Sequence, residues 1–476
     1  MATATITRGY DGLDRLTQEV TPQGTVNYTY DNASRRATMT VVGQTQVVYI
    51  YDNANRLTQV QQGTSTVTIG YDDADRRTSV TYPNTNKVEY AYNAASELTT
   101  VTYKQGATTL GDLTYTYDAT GNRIKTGGTF ARSNIPPALT TTNYNGNNQQ
   151  LTFGTTTETY DLNGNVATTT DAGVTTTYTW NARNQLTGIS RTGLTASFTY
   201  DSFGRRTGKT INGTTTNFVY DGLNPVQEKA GATVNANLLT GLGIDEFFTR
   251  TDGVGTRALL TDALGSTVAL GDGTGTLQTQ YTYEPFGVTT QTGAASTSSY
   301  KFTGREDDGT GLAYYRARYY QPRLQRFIAE DPIGFGGGDA NLYGYVRNNP
   351  VIFIDPTGLF CTYSQSSGGF ICTSGLSCSG YSGSGQGLNN PAAQGQLDIG
   401  PLPRGSWVVG QPNTRRGPMT LPLSPVLGTD MDGRSGGFLI HGDNRRGNNT
   451  ASTGCMILPR DCREQIPEGE MILVLP

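Results

Sequence analysis

The sequence predicts an all-β protein: a long array of stacked β-hairpins, followed by a small, mainly β C-terminal domain. Three observations lead there. A Tyr-Asp phrase recurs about every twenty residues through the first half. Thr, Val and Tyr alternate between the recurrences, the pattern of a pleated, half-buried strand. Beyond residue 360 lysine disappears, and all five cysteines of the chain lie there.

The repeats come first. The phrase Tyr-Asp-x-x-x-Arg stands at Tyr10, Tyr30, Tyr51 and Tyr71, in GYDGLDRLT, YTYDNASRRAT, YIYDNANRLTQ and GYDDADRRT. Weaker copies follow at Tyr92, Tyr117, Tyr160, Trp180, Tyr200 and Tyr220, and a longer insertion at about 125–159 holds a degenerate copy near Tyr144. Each unit reads as a strand, a polar turn built on Asp-Asn-Ala or Asp-Gly, and a strand. Tyrosine suits the repeated position because its ring can stack on the next hairpin while its hydroxyl stays hydrated. One hairpin cannot bury its apolar face, so the units must stack into a long sheet. The periodicity specifies architecture and no chemistry.

Composition narrows the function. A length of 476 residues allows about two to four domains. Apolar residues make up 35% and glycine adds 61 positions, together within the globular range of about 45–50%. Charged residues are only 16%, with a net charge of −4. No basic surface is left for phosphates, so no nucleic-acid partner is expected. No apolar run approaches the ~18 residues of a spanning helix, so no membrane span is expected. The N-terminus, MATATITRGYDG, lacks a signal-peptide pattern. With one histidine in the chain, a site built on two is excluded.

Two Asp-Pro-x-Gly motifs follow, at Asp331–Gly334 and Asp355–Gly358. Asp, Pro and Gly in this order suit ordinary type I or II turns. They also suit an aspartyl dyad, since two carboxylates brought close cannot both ionise: one holds a proton and the other activates water. The residues alone leave both readings open.

The last 117 residues read as Gly-rich β-structure, with RDCREQIP as one short helix. Eight Arg balance eight Asp and Glu there, so neither an acidic nor a basic partner is indicated. Chemistry concentrates in FLIHGDNRRGNNTASTGCMIL. His441 ends an apolar strand, and Cys455 follows in Ser-Thr-Gly-Cys. A cysteine is a nucleophile only as thiolate, and an imidazole can take its proton. Gly454 would admit a substrate and leave amides for an oxyanion. A buried structural cysteine and an ordinary histidine fit the same residues. His441, Cys455, Cys462 and Cys372 or Cys378 offer atoms for zinc without a CxxC spacing, so no metal or other cofactor is expected. Cys372 and Cys378 can pair as a disulfide in an oxidising compartment.

The repeat array resembles the YD repeats of the RHS family, whose sheets form a cocoon-like shell around a C-terminal cargo. The resemblance continues through LTDALGSTVAL, YTYEPFG, the segment 302–335 and LYGYVRNNPVIFIDPTGL. It divides the chain into a YD-repeat sheet at 1–246, a core with an aspartyl autoprotease segment at 247–359, and a toxin domain at 360–476. It implies that Asp331 and Asp355 are the dyad and that the chain is cut between Leu359 and Phe360.

The cargo resembles the L,D-transpeptidase-like effector toxins of bacterial secretion systems, through TYSQSSGGF, GYSGSGQGLNNP, IGPLPRGSW, FLIHGD and ASTGCMIL in order. Thr453 stands where ordinary L,D-transpeptidases carry a second histidine, a departure shared by the effector branch. The resemblance implies that Cys455 attacks the diamino-acid carbonyl of a peptidoglycan stem tetrapeptide, with His441 as base and the Gly454 and Cys455 amides at the oxyanion. Hydrolysis or exchange with a D-amino acid then completes an L,D-carboxypeptidase or L,D-transpeptidase reaction. Asp443, Ser452, Thr453, Tyr381, Ser382 and Asn390 are the candidate substrate-binding residues. Arg415, Arg416, Arg445 and Arg446 can hold a carboxylate or simply face solvent. The same resemblance implies a protein made in the cytoplasm, secreted by a type VI or similar apparatus, and active in the periplasm of competing bacteria, with a cognate immunity protein. The alternative is a non-enzymatic YD-repeat adhesion protein with a C-terminal binding tail. A papain-like peptidase is disfavoured, because that class places Cys before His.

Overall fold

The computed structural model describes residues 5–475 except 75, 120–122, 133, 140, 333, 338, 359–360, 372–376, 411–415, 417–418, 426–430, 432–433, 435–436, 445–448, 464–465 and 467–470. Among the described residues the strands form sheets of twelve, sixteen, four and nine strands. In the two large sheets each strand pairs with its neighbour in sequence, as a hairpin array requires. The first runs from Thr7 to Gly127 and the second from Thr142 to Gly293. The break between them falls in the insertion, and the second sheet opens on the degenerate copy at Tyr144. That sheet continues past the boundary expected at 246, because Phe247–Asp252 pairs with Thr233–Thr240. The Tyr-Asp phrase fades there while the period-two alternation persists, and alternation is what a sheet needs.

The repeated phrase builds an interlocking turn. Asp31 accepts from the amides of Ala33 and Arg35, each at 2.9 Å, and from Arg35 Nε at 2.7 Å. Ser34 between them takes a φ of +61°, which explains the small polar residues or glycine found at this position. The Arg35 guanidinium lies over the Tyr51 ring of the next unit, 4.5 Å from its centroid. Arg15 over Tyr30, Arg56 over Tyr71 and Arg76 over Tyr92 repeat the contact. The tyrosine hydroxyls are not left to water, as the sequence suggested. Tyr51 donates to the Arg36 carbonyl at 2.9 Å, and Trp180 keeps the same bond through its indole N–H, 2.9 Å from the Val166 carbonyl.

Face-to-face packing joins the two large sheets. Val26, Val60, Val88 and Val101 of the first share one core with Val219, Val226, Leu239 and Leu260 of the second. Polar groups match across the seam in the same order along both sheets. Arg36 pairs with Asp221 at 2.5 Å and Arg77 with Glu246. The hydroxyls of Tyr82 and Tyr103 reach the carbonyls of Leu259 and Thr261, both at 2.9 Å. The earlier strands of the second sheet are covered by the segment 312–328, where Leu312, Tyr314 and Tyr319 pack on Val166, Leu186 and Phe198.

This packing bears out the stacked antiparallel sheets expected of the repeat array. The apolar faces of about ten repeats are satisfied by each other and by the segment 312–328. Residues 361–475 form a core of their own around Trp407, Tyr363, Ile440, Met456 and Ile472. In their nine-stranded sheet, Met456–Ile457 runs parallel to Leu439–His441 on one side and antiparallel to Tyr381–Ser382 on the other. Arg460–Arg463 is a short helix, as read from RDCREQIP. Among the described residues no helix is long and apolar enough to cross a membrane.

Candidate functional site

Two sites emerge, and the first centres on Arg318. Asp331 opens a turn in which the Gly334 amide donates to its carbonyl at 2.8 Å, so the turn reading describes the backbone. Its carboxylate faces Arg318 Nη2 at 3.0 Å, and the Asp355 carboxylate reaches the same nitrogen at 3.7 Å. One buried guanidinium therefore gathers both aspartates. Arg318 Nε also donates to the Gly358 carbonyl at 2.7 Å. Gly358 has a φ of +66°, and a Cβ there would collide with the Tyr315 carbonyl, so only glycine lets this turn press onto the Ala313–Tyr315 and Arg318–Gln321 hairpin. Arg318, Asp331 and Asp355 line a cavity of about 40 Å³, room enough for a water molecule. Leu359 and Phe360, the expected cleavage point, lie outside the described residues. Arg318 was missed in the sequence, where it is one arginine among the tyrosines of YYRARYY.

At the second site the parallel register sets Ile440 opposite Met456 and His441 opposite Ile457. Cys455 immediately precedes the strand Met456–Ile457, and the register extended by one residue sets it opposite Leu439, two residues from His441 along the adjacent strand. Cys455 is half-buried and carries a thiol rather than a disulfide. His441 is buried, and its Nδ1–H donates to the Gly442 carbonyl at 2.9 Å, which leaves Nε2 as the basic nitrogen. Burial lowers its pKa from the ordinary 6.5, and the nearby Arg416 and Arg463 lower it further. The imidazole is therefore neutral at pH 7, the form that can accept a thiol proton.

Several of the expected binding residues make contacts to the backbone of the site. Ser382 and Ser452 are fully buried. Their hydroxyls donate to the Cys455 carbonyl at 2.9 and 2.6 Å, which fixes the backbone of the thiol residue. The Gly454 amide, expected at an oxyanion, donates to Ser452 Oγ at 3.0 Å. Asn390 caps the short helix Pro391–Ala393 by accepting from the Ala392 amide at 3.1 Å. Asp443 accepts from the Tyr381 hydroxyl at 2.6 Å and from the amides of Asn444 and Asn449, so it orders its own loop. Through burial and this carboxylate the Tyr381 pKa is pushed up to about 12. Thr453 is exposed beside the thiol residue, and Arg416 is also exposed. Arg415, Arg445 and Arg446 lie outside the described residues.

Three further features were missed. Arg434 is buried, donates to the Gln394 and Pro401 carbonyls at 3.1 and 2.6 Å, and stacks 4.7 Å from the Phe438 centroid. Its guanidinium lies where a Cβ on Gly454 would be, so it brings positive charge to the neighbour of the thiol. Arg463 holds the Leu458 carbonyl at 3.0 Å behind His441. Cys378 pairs with Cys462, not with Cys372, which lies outside the described residues; Cys361 is disulfide-bonded as well. The Cys378–Cys462 bond arises because the edge strand Ser377–Ser379 and the helix Arg460–Arg463 converge in space across 84 residues of sequence. Among the described residues no group of three or more His, Cys, Asp or Glu is placed to hold a metal ion.

Fold and repeat geometry together define a YD-repeat β-shell protein with an appended C-terminal domain. The chain belongs to the teneurin YD-shell family, whose profile matches residues 65–351; an RHS-repeat profile matches residues 10–46. It is 45% identical over 101 residues to the toxin subunit YenC1 of Yersinia entomophaga, covering 20% of this chain and 10% of that one. It is 38% identical over 104 residues to the tRNA nuclease WapA of Bacillus subtilis, covering 20% and 4%. It is 37% identical over 100 residues to the toxin protein Tse5 of Pseudomonas aeruginosa, covering 21% and 8%. The chain thus spans a tenth or less of the length of these relatives. Among solved structures it resembles a Photorhabdus luminescens Tc holotoxin pore carrying a TccC3 mutation, with a TM-score of 0.53 and 21% identity over 70% of this chain and 21% of that one. A TcdB2-TccC3-TEV structure gives the same TM-score and identity over 71% and 21%. This likeness shows the fold.

Proposed function

We propose that this chain is a self-cleaving, secreted antibacterial toxin whose C-terminal domain is a cysteine enzyme acting on peptidoglycan stem peptides. The observation that supports the reading is the parallel pairing of the strand ending in His441 with the strand that follows Cys455, with Ser382 and Ser452 holding the Cys455 carbonyl and burial lowering the His441 pKa. The relatives carry varied names. One is named a tRNA nuclease, another a double-stranded DNA deaminase toxin of Burkholderia cenocepacia, another a probable deoxyribonuclease of Dickeya dadantii. Eight Arg against eight acidic residues in 360–476 argue against a nucleic-acid substrate here.

In this reading His441 Nε2 takes the Cys455 proton, and the thiolate adds to the diamino-acid carbonyl of a stem tetrapeptide. The bond to the terminal D-alanine breaks, and the imidazolium returns its proton to the departing amine. Water or a D-amino acid then releases the thioacyl enzyme. Gly454 can serve the oxyanion only if Ser452 turns away, and Arg434 favours the negative charge that develops nearby. The domain is first freed by cleavage between Leu359 and Phe360. One of Asp331 and Asp355 activates a water, and the other supplies the proton to the leaving nitrogen.

The test is the muropeptide profile of cell wall incubated with the protein. Loss of tetrapeptides to tripeptides or to exchanged termini supports the reading, and an unchanged profile, or one equally changed by Cys455→Ala, refutes it.

A further inference from the structure

We propose that Asp245 and Arg316 form a positioning pair that makes self-cleavage depend on the docking of the two repeat sheets. The inference rests on the self-cleavage reading above. Its origin is a loop between Thr233–Thr240 and Phe247–Asp252 whose consecutive residues reach in different directions. Glu246 pairs with Arg77 of the first sheet. Asp245 pairs with Arg316 at 2.7 Å and with Arg305 at 2.5 Å. Arg316 in turn donates to the carbonyl of Pro356, the residue after Asp355. It also holds the Leu223 carbonyl at 3.1 Å. A continuous set of contacts thus runs from the first sheet, through the second, to the turn that precedes the cleavage point.

That turn is held at three successive carbonyls. Arg316 takes Pro356, the Ala317 amide takes Thr357 at 3.0 Å, and Arg318 takes Gly358 at 2.7 Å. Arg318 also faces the two carboxylates, whereas Arg316 has the Pro356 carbonyl, so its role is positioning. The backbone supports this assignment. Asp245 and Arg316 both have a φ of +58°, a conformation that residues other than glycine keep only when their surroundings impose it. Glycine would suit either backbone better, yet both positions carry the side chains that make the pair. Burial alone would raise the Asp245 pKa, but Arg305 and Arg316 bring it below the ordinary value, so the carboxylate stays charged. Small displacements of a reacting group can slow a reaction by about a hundredfold, so loosening this turn should register in the cleavage rate.

The experiment follows the loss of full-length chain with time during cell-free synthesis, over a pH series. Asp245→Asn and Arg316→Met should each slow cleavage by about tenfold or more without moving the pH profile, because the two catalytic aspartates are untouched. The double variant should be no slower than the slower single one, and Asp245→Glu should regain part of the rate. Arg77→Met, remote from the turn, should also slow cleavage. Thermal unfolding of each variant in an Asp331→Asn background identifies any that fail to fold, and Arg77→Met then decides. Wild-type rates in the folded variants, or multiplied effects in the double variant, overturn the proposal. An unmutated chain that never cleaves overturns the self-cleavage reading instead, and this proposal with it.

Discussion

Ser382 donates to the Cys455 carbonyl at 2.9 Å from a strand 73 residues earlier in the chain. The same oxygen of Ser382 accepts the Leu402 amide at 2.7 Å. One buried hydroxyl thus joins three segments at the thiol. Ser382→Ala should leave those groups unsatisfied and lower the stability of the C-terminal domain by about 1–3 kcal/mol. The exposed change Thr453→Ala should stay within about 0.5 kcal/mol. Denaturant unfolding of the two variants, compared at equal m-value, checks the contrast.

The thiol and imidazole should behave as one unit. Cys455→Ala, His441→Ala and the double variant should all fall to about the same residual activity on peptidoglycan, because knockouts within one mechanism are not additive. Separate, multiplying losses would show that the two residues act independently.

Activity should persist below the pH at which an ordinary histidine becomes charged. The base must be neutral, and burial with Arg416 and Arg463 lowers the pH at which His441 takes a proton. Arg416→Gln removes one of these cations from an exposed position, so it should move the acid limb of the pH–rate profile upward. A limb that stays put would mean that the arginine does not act on this imidazole.

Cys378–Cys462 should matter although neither sulfur takes part in the chemistry. Replacing both by serine removes the bond across 84 residues, and losses of about 2–5 kcal/mol are usual for native disulfides. Under non-reducing conditions a thiol probe should label Cys455 ahead of Cys462. Cys462 labelling first, or unchanged melting of the double serine variant, would contradict the pairing.

Self-cleavage should yield a fragment of about 12 kDa, the mass share of residues 360–476 in a 51.0-kDa chain, with Phe360 at its N-terminus. Asp331→Asn and Asp355→Asn should each leave a single full-length band on a denaturing gel. A different new N-terminus would move the scissile bond.

The repeat sheets were legible because Tyr, Asp and Arg recur at a spacing that the local geometry demands, as Asp31, Arg35 and Tyr51 show. His441 and Cys455 could be singled out as candidates because each lies in a short motif with its glycine. Arg318, Arg316 and Arg434 were not, since their partners include backbone carbonyls far away in sequence, and a carbonyl has no residue identity to read. Ser382 and Ser452 stood out in their motifs as cleft residues, yet both hold backbone. A serine that lines a cleft and one that pins a backbone look alike in sequence. Face-to-face docking of the sheets was hidden for a related reason, because alternation shows which face of a strand is apolar and not what will cover it.

The matched seam between the sheets limits how such a chain can change its length. Within one sheet, each Arg–Tyr contact links a unit to the next copy of itself, so excising one whole unit would leave neighbours that still fit. Across the seam the fit is lost. Arg36 faces Asp221 and Arg77 faces Glu246, and removing a unit between Arg36 and Arg77 alone would slide every later pair out of step by one hairpin. A change of length in one layer therefore has to be answered in the facing layer before the seam pairs can meet again, much as a zip closes only when both rows of teeth agree.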